Sequence, residues 1–258
     1  MKRDDLTTLS GVLPDARDAE AVILRVVPLG ESDLLVDYLD SEGRRASAVA
    51  RGARRSRRRF AGCLQPFARV RLKLGRRRRG SQGLGRLEEA TLLRGHVAIG
   101  KNLRAYSQGC YLLELVAAFV PEGDPHPSFW SLLRDVLEIL DNRPLNDVEM
   151  AYLRLRVLDA AGLAPHLDGC SACGAEDSAR WWPEQGATGF VCERCGGSGR
   201  MWMGRRGLDM LRRLAARKMP RGTDPKETER LNEILSWMLG QHAGRQFKSE
   251  AFLRSTRE

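Results

Sequence analysis

The stretch Phe67-Ala68-Arg69-Val70-Arg71-Leu72-Lys73-Leu74 decides how this chain is read. Val70, Leu72 and Leu74 alternate with Arg69, Arg71 and Lys73. In an extended strand successive side chains point to opposite faces, so three apolar residues enter a core while three cations stand together on the outside. Working outward, residues 21–27 form a β-branched apolar run suited to a buried strand. Residues 30–33 and 40–43 have turn composition and bracket a second strand at 34–39. A third strand is predicted at 45–50, ending at Arg51-Gly52, and a fifth at 84–93. Five short strands with glycine-rich turns suit a small Greek-key barrel of the OB type.

The charge follows the same segment. The 258 residues carry 43 Lys plus Arg against 33 Asp plus Glu, a net of +10. Residues 44–87 hold sixteen cations and no acid, whereas the remainder holds 27 cations against 33 acids. The basic excess is therefore a patch in the first third of a mildly acidic chain. It calls for an anionic partner, of which nucleic acid is the usual one. Candidate contacts are Arg69, Arg71 and Lys73 on the strand. Flanking them are Arg51, Arg54, Arg55, Arg57, Arg58 and Arg59 in one loop and Arg76, Arg77, Arg78 and Arg79 in another. Arginine offers a planar fork that fits phosphate and stacks on bases. The barrel region supplies only Tyr38, Phe60 and Phe67 as stacking aromatics, and Phe67 is expected to face the core, so backbone electrostatics should dominate.

Beyond about Gly95 the apolar period changes from 2 to 3.6. Leu103, Tyr106, Cys110, Leu113, Ala117 and Val120 fall on one helical face, which is expected to be buried, and Pro121 ends that helix. Residues 129–140 form a second amphipathic helix. Asn146 with Glu149 reads as a capping box opening a third, which runs to about Ala161 before Gly162. Further helices are predicted at 208–216 and, after Asp224-Pro225, up to Leu239.

Four of the six cysteines form Cys170-x2-Cys173 and Cys192-x2-Cys195, each pair followed by glycine. A two-residue gap lets two thiolates from one tight turn reach the same ion. Two such turns complete the tetrahedral shell that zinc prefers. With four thiolates no position stays open for water, so the expected zinc is structural. Cys63 and Cys110 are isolated and read as small apolar side chains.

Catalytic chemistry is sparse. The four histidines (His96, His126, His166 and His242) are scattered. No phosphate loop and no metalloprotease motif occurs, and the cysteine pairs lack the His-x-Glu partner of a nucleobase deaminase. No run approaches the ~18 apolar residues of a membrane span, and the first residues lack a secretory pattern. The expectation is a soluble, cytoplasmic binding protein without enzymatic activity.

An ordered set of segments resembles the bacterial RecO family of DNA repair proteins. It comprises Val22-Ile23-Leu24-Arg25, Gly30-Glu31-Ser32-Asp33-Leu34-Leu35-Val36, Val49-Ala50-Arg51-Gly52-Ala53-Arg54-Arg55 and Leu64-Gln65-Pro66-Phe67. Ala105-Tyr106-Ser107, Tyr111-Leu112-Leu113-Glu114-Leu115, residues 158–162, Cys170-Ser171-Ala172-Cys173-Gly174 and Phe247-Lys248-Ser249 follow. Leu29 stands where members of that family often have an aromatic residue. The resemblance implies an α+β multidomain chain: an OB-type β-barrel, then an α-helical domain carrying a four-cysteine zinc-finger insertion. It also implies a mediator of the RecF pathway that binds single- and double-stranded DNA, anneals complementary strands and helps to load RecA. Its partners would be RecR and the acidic C-terminal tail of single-stranded DNA-binding protein (SSB). Arg154 and Arg156 are candidates for receiving that tail at the mouth of a helical groove.

The expected organisation is a flexible lead-in at 1–19, the barrel at 20–95, a helical domain at 96–168, the zinc module at 169–200, and closing helices at 201–258. Three other classes compete. An RNA-binding protein shares barrel and zinc ribbon. A zinc enzyme would need an open coordination site. A pure scaffold would ignore its basic face.

Overall fold

The computed structural model describes residues 17–75, 84–196, 199–220 and 222–256. They divide into two compact units: residues 17–41 with 46–95, and residues 42–45 with everything from His96 onward.

The first unit is a closed barrel with strand order β1-β2-β3-β5-β4. Its strands are β1 (Arg17–Leu29), β2 (Asp33–Asp40), β3 (Arg45–Ala50), β4 (Arg69–Leu74) and β5 (Gly85–Arg94). β3 pairs with β5 in parallel, and β1 pairs antiparallel with both β2 and β4. That double pairing explains why β1 starts earlier than its apolar run. Arg17, Asp18 and Ala19 align with Leu74, Lys73 and Leu72 of β4, so residues 17–19, expected in the lead-in, belong to the barrel. Residues 1–16 lie outside the described residues. The register shift in β1 between Ile23 and Arg25 bends the strand so that it serves both neighbours. Closure leaves no free sheet edge. Ala21, Ile23, Val36, Ala48, Val70, Leu72 and Leu87 fill the interior. Val70 and Leu72 are fully buried while Arg71 and Lys73 are exposed, as the alternation demands. Phe67 and Ala68 precede the strand proper. Phe67 is buried and adopts φ 71°, and its N–H donates to the Ile23 carbonyl.

The second unit is helical. α1 (Leu103–Phe119), α2 (Pro127–Leu140) and α3 (Asp147–Ala160) precede the cysteine segment, which contains the one-turn α4 (Glu193–Gly196). α5 (Arg205–Ala215), α6 (Pro225–Ala243) and α7 (Lys248–Ser255) follow it. Asn146 and Glu149 close the predicted capping box, and the Asp224 carboxylate accepts from the Lys226 N–H. Gly162 has φ 72° and ends α3 with the Leu163 N–H donating to Leu158, a left-handed stop that favours glycine.

One expectation for α1 is corrected. Leu103, Tyr106 and Ala117 are exposed rather than buried. The face in the core instead carries Ala105, Gln108, Gly109, Leu112, Leu115 and Val116. Gln108 is tolerated there because its amide exchanges two hydrogen bonds with the Leu145 backbone, at 2.8 and 2.9 Å. No helix among the described residues is long and apolar enough to cross a membrane.

Candidate nucleic-acid interface and metal centre

The loop after β3 is pinned at both ends. Ala53 and Phe60 are buried in the barrel core. Between them the chain makes a 3-10 turn at Ala53–Arg55 and presents Arg54, Arg55, Arg57, Arg58 and Arg59 to solvent, with Arg51 just ahead. Gly52, at φ 65°, turns the chain there, and its N–H donates to Asp33 Oδ1 at 2.8 Å. That bond, with Ser32 and the nearby Arg51 charge, holds the Asp33 carboxyl below its ordinary range. The Arg54 N–H donates to the Ser32 carbonyl, and the Ala90 N–H to that of Arg59. Arg54 Nη1 reaches the Glu31 carbonyl at 3.1 Å, and Arg59 Nη2 the Arg51 carbonyl at 2.6 Å. These two guanidiniums brace the loop. Those of Arg55, Arg57 and Arg58 point outward with no hydrogen bond or ion pair to any described residue.

The β4 stripe differs from its reading in sequence. Glu20 lies opposite Arg71 and Asp18 opposite Lys73 across β1, and Glu89 lies opposite Lys73 across β5. Arg69 is about a quarter exposed, with its Nε 3.5 Å from Glu20 Oε1. Strand pairing thus brings three carboxylates, all from outside the acid-free segment, onto the face where three cations were expected to stand alone. Carboxylates therefore flank the stripe, with Arg69 in ion-pair reach of one, whereas the loop segment carries no acid of its own. Arg76, Arg77, Arg78 and Arg79 lie outside the described residues. Tyr38, Phe60 and Phe67 are all buried, so the described barrel surface offers no aromatic face for a base.

In the second unit, four cysteines converge. β6 (Arg180–Pro183), β7 (Phe190–Cys192) and β8 (Met203–Gly204) form a three-stranded sheet, and α4 carries Cys195. Trp181, Trp182, Phe190 and Met203 are its buried support. The Sγ atoms of Cys170, Cys173, Cys192 and Cys195 all lie within 4.8 Å of one another. Four sulfurs bonded at ~2.3 Å to one tetrahedral ion would stand about 3.8 Å apart. Cys173 and Cys192 are 3.7 Å apart, so the cluster fits such an ion. Both following glycines are needed. Gly174 adopts φ 71° as its N–H closes on the Cys170 carbonyl, and a Cβ on Gly196 would meet Val191 Cγ2 at 2.1 Å. Burial raises the Cys170 thiol, but the N–H groups of Cys192, Cys173 and Ala172 outweigh it and bring it down to about 6. Hydrogen bonding to Cys173 and Cys192 pushes Cys195 up to about 12. Cys170 is thus ready to yield its proton to a metal ion, whereas Cys195 holds its own until an ion displaces it. Cys63 is buried, its Sγ 3.4 Å from the Ala90 carbonyl, and Cys110 is half-buried. Burial raises both thiols, as small apolar side chains require.

The two partner candidates separate. Arg154 is 2% exposed and is no groove-mouth cation. It donates to Asn232 of α6 and to Tyr111 Oη of α1 at 3.3 Å, and lies 3.7 Å from Glu250 of α7. Its guanidinium also stacks on the Tyr111 ring. It is an internal strut joining four helices. Arg156 pairs with Asp159 and lines a cavity of about 590 Å³ together with Leu132, Val136, Ile139, Tyr152 and Arg217. Arg217 comes to the same cavity as Arg156, a proximity that sequence does not signal because nothing local connects it to α2 and α3.

A closed five-stranded barrel with a basic loop, joined to a helical unit that holds a four-cysteine cluster, defines a class of two-unit binding proteins. Comparison with known proteins narrows it. Residues 17–96 match the family model "Recombination protein O N terminal", and residues 100–251 match "Recombination protein O C terminal". The DNA repair protein RecO of Myxococcus xanthus is 32% identical over 241 residues, covering 92% of this chain and 96% of its own. That of an Anaeromyxobacter species is 35% identical over 242 residues, covering 90% and 93%. The chain belongs to the RecO family of DNA repair proteins. The competing RNA-metabolism reading is not favoured.

Proposed function

We propose that this chain is a non-enzymatic recombination mediator that binds single- and double-stranded DNA and anneals complementary strands. It would act with RecR and SSB in the loading of RecA. The observation that supports this most is the pinned, outward-facing arginine loop formed by Arg51, Arg54, Arg55, Arg57, Arg58 and Arg59. Two strands repel through their phosphates. A fixed cluster of cations neutralises them without reading sequence, because it meets the backbone and not the base edges. The loop backbone is already hydrogen-bonded to Asp33 of β2 and Ala90 of β5, so only its side chains have to order when DNA arrives. Arg71 and Lys73 add less, with carboxylates beside them.

The Cys170, Cys173, Cys192 and Cys195 thiolates would hold zinc. When bound, the ion supplies four bonds that tie the 169–200 module together. The cavity beside Arg156 and Arg217 is the candidate for the SSB tail: it pairs an apolar floor with these two cations, and Asp135 and Glu149 line it as well. The test is annealing of complementary oligonucleotides across a salt series, with and without SSB. If about six phosphates are neutralised, single-strand affinity falls with log salt at a slope of roughly −4. A slope near zero, or no annealing at low salt, would overturn the proposal.

A further inference from the structure

The proposed annealing needs two strands held at once, and the helical unit has a second cationic surface. Residues 205–218 carry Arg205, Arg206, Arg212, Arg213, Arg217 and Lys218 against the single acid Asp209. α5 buries Gly207, Leu208, Met210, Leu211 and Leu214, which drives the charges to its opposite face. Two of the cations serve the fold. Arg205 pairs with Asp177, and Arg212 Nε donates to the Leu167 carbonyl at 2.9 Å. The side chains of Arg206, Arg213 and Lys218 are exposed, with no hydrogen bond or ion pair to any described residue.

The end of the helix adds an independent sign. Arg217 sits at φ 58°, the left-handed position just beyond α5, with its N–H on the Leu214 carbonyl and the Lys218 N–H on that of Arg213. Glycine is the residue that fits this stop without steric cost. An arginine there keeps a fourth cation at the end of the row where backbone geometry alone would select against it.

We infer that the exposed face of α5 and the turn after it form a second DNA-phosphate surface, holding one strand while the barrel loop holds the other. This rests on the DNA-binding reading above. On α5 itself, within 205–216, the surface favours nucleic acid over an acidic peptide because only Asp209, Ala215 and Ala216 lie exposed among the cations, whereas the apolar cavity lies beyond the helix end, at Arg217 and Met219. A peptide needs an apolar anchor. A phosphate backbone needs only fixed positive charge.

The test uses the full chain and two non-complementary oligothymidylates with different dyes. First-strand binding is read by anisotropy, and co-binding by energy transfer with strands per chain counted by sedimentation. The variants are Arg206→Gln/Arg213→Gln/Lys218→Gln and, as a stronger lesion, Arg206→Glu/Arg213→Glu, each checked for an unchanged melting temperature. In the triple variant three phosphate contacts are lost, so the salt slope of second-strand capture should shallow by about 2 and its affinity at low salt fall by about 10-fold or more. First-strand affinity should stay within about 2-fold of wild type, because the barrel loop is intact. Unchanged second-strand capture in a folded variant overturns the inference, as does a wild-type chain that holds only one strand. A variant that keeps both strands but loses binding to polyglutamate makes α5 a protein-docking face, which also overturns it. A wild-type chain that binds neither strand instead removes the reading on which the inference rests.

Discussion

At the scale of single residues, the structure separates cations that build the protein from cations left for a ligand. Arg154 belongs to the first group. Its charge is buried among Tyr111, Asn232 and Glu250, and removing it would leave Glu250 without its closest buried counter-charge. Breaking a buried pair on one side costs about 3–5 kcal/mol. Arg154→Ala should therefore lower the melting temperature by about 10 °C, with DNA affinity of the folded fraction unchanged. Circular dichroism and a binding titration on one preparation check both halves. Nothing near Arg154 in sequence signals this role, because Asn232 and Glu250 come from helices far along the chain. Its position inside an apolar helix was visible in the sequence, but its partners were not. The β4 cations teach the converse. Their alternation with Val70, Leu72 and Leu74 was legible as a two-faced strand. The carboxylates of Asp18, Glu20 and Glu89 were not legible as neighbours, because strand pairing is non-local.

At the scale of elements, two attachments lend themselves to measurement. α7 is tied to α1 through Glu114, whose carboxylate accepts the Lys248 N–H at 3.2 Å and the N–H of Ser249 at 2.9 Å, together with the Ser249 hydroxyl. Partial burial raises the Glu114 carboxyl, but Ser249, Lys248 and the nearby Arg245 charge outweigh it, leaving it below its ordinary 4.5. A depressed carboxyl stabilises the fold above its unfolded value, and that contribution is lost as pH falls through the folded one. Below about pH 4.5 the wild type should lose stability more steeply than Glu114→Gln, in urea unfolding from pH 6 to 3. Parallel curves would remove Glu114 as the tether. The cysteine module is the second case. Chelation should loosen the segment around Trp181 and Trp182, seen as a red shift in tryptophan emission. Reloading zinc should reverse it, and acidification should release the ion again, because protons compete with it for the thiolates. Cys170→Ser should abolish the response. This module was the most legible part of the chain, because two-residue spacing is a local signal. The buried face of α1 was the least legible, since Gln108 enters the core through backbone groups at Leu145, 37 residues away.

At the scale of the whole molecule, the net charge of +10 resolves, among the described residues, into a strand flanked by carboxylates, a loop without acids of its own and a second basic face on α5. Summing the chain outside 44–87 into a mildly acidic remainder hid the last of these. The account's central claim is that the loop of Arg51, Arg54, Arg55, Arg57, Arg58 and Arg59, rather than the β4 face, is the main DNA contact of the barrel. The most direct measurement compares single-stranded DNA binding by Arg55→Glu/Arg57→Glu/Arg58→Glu with Arg71→Glu/Lys73→Glu across a salt series. The loop variant should lose at least about 2 units of salt slope and most of its low-salt affinity, while the strand variant loses less than half as much. Equal losses, or a larger loss from the strand variant, would contradict the account.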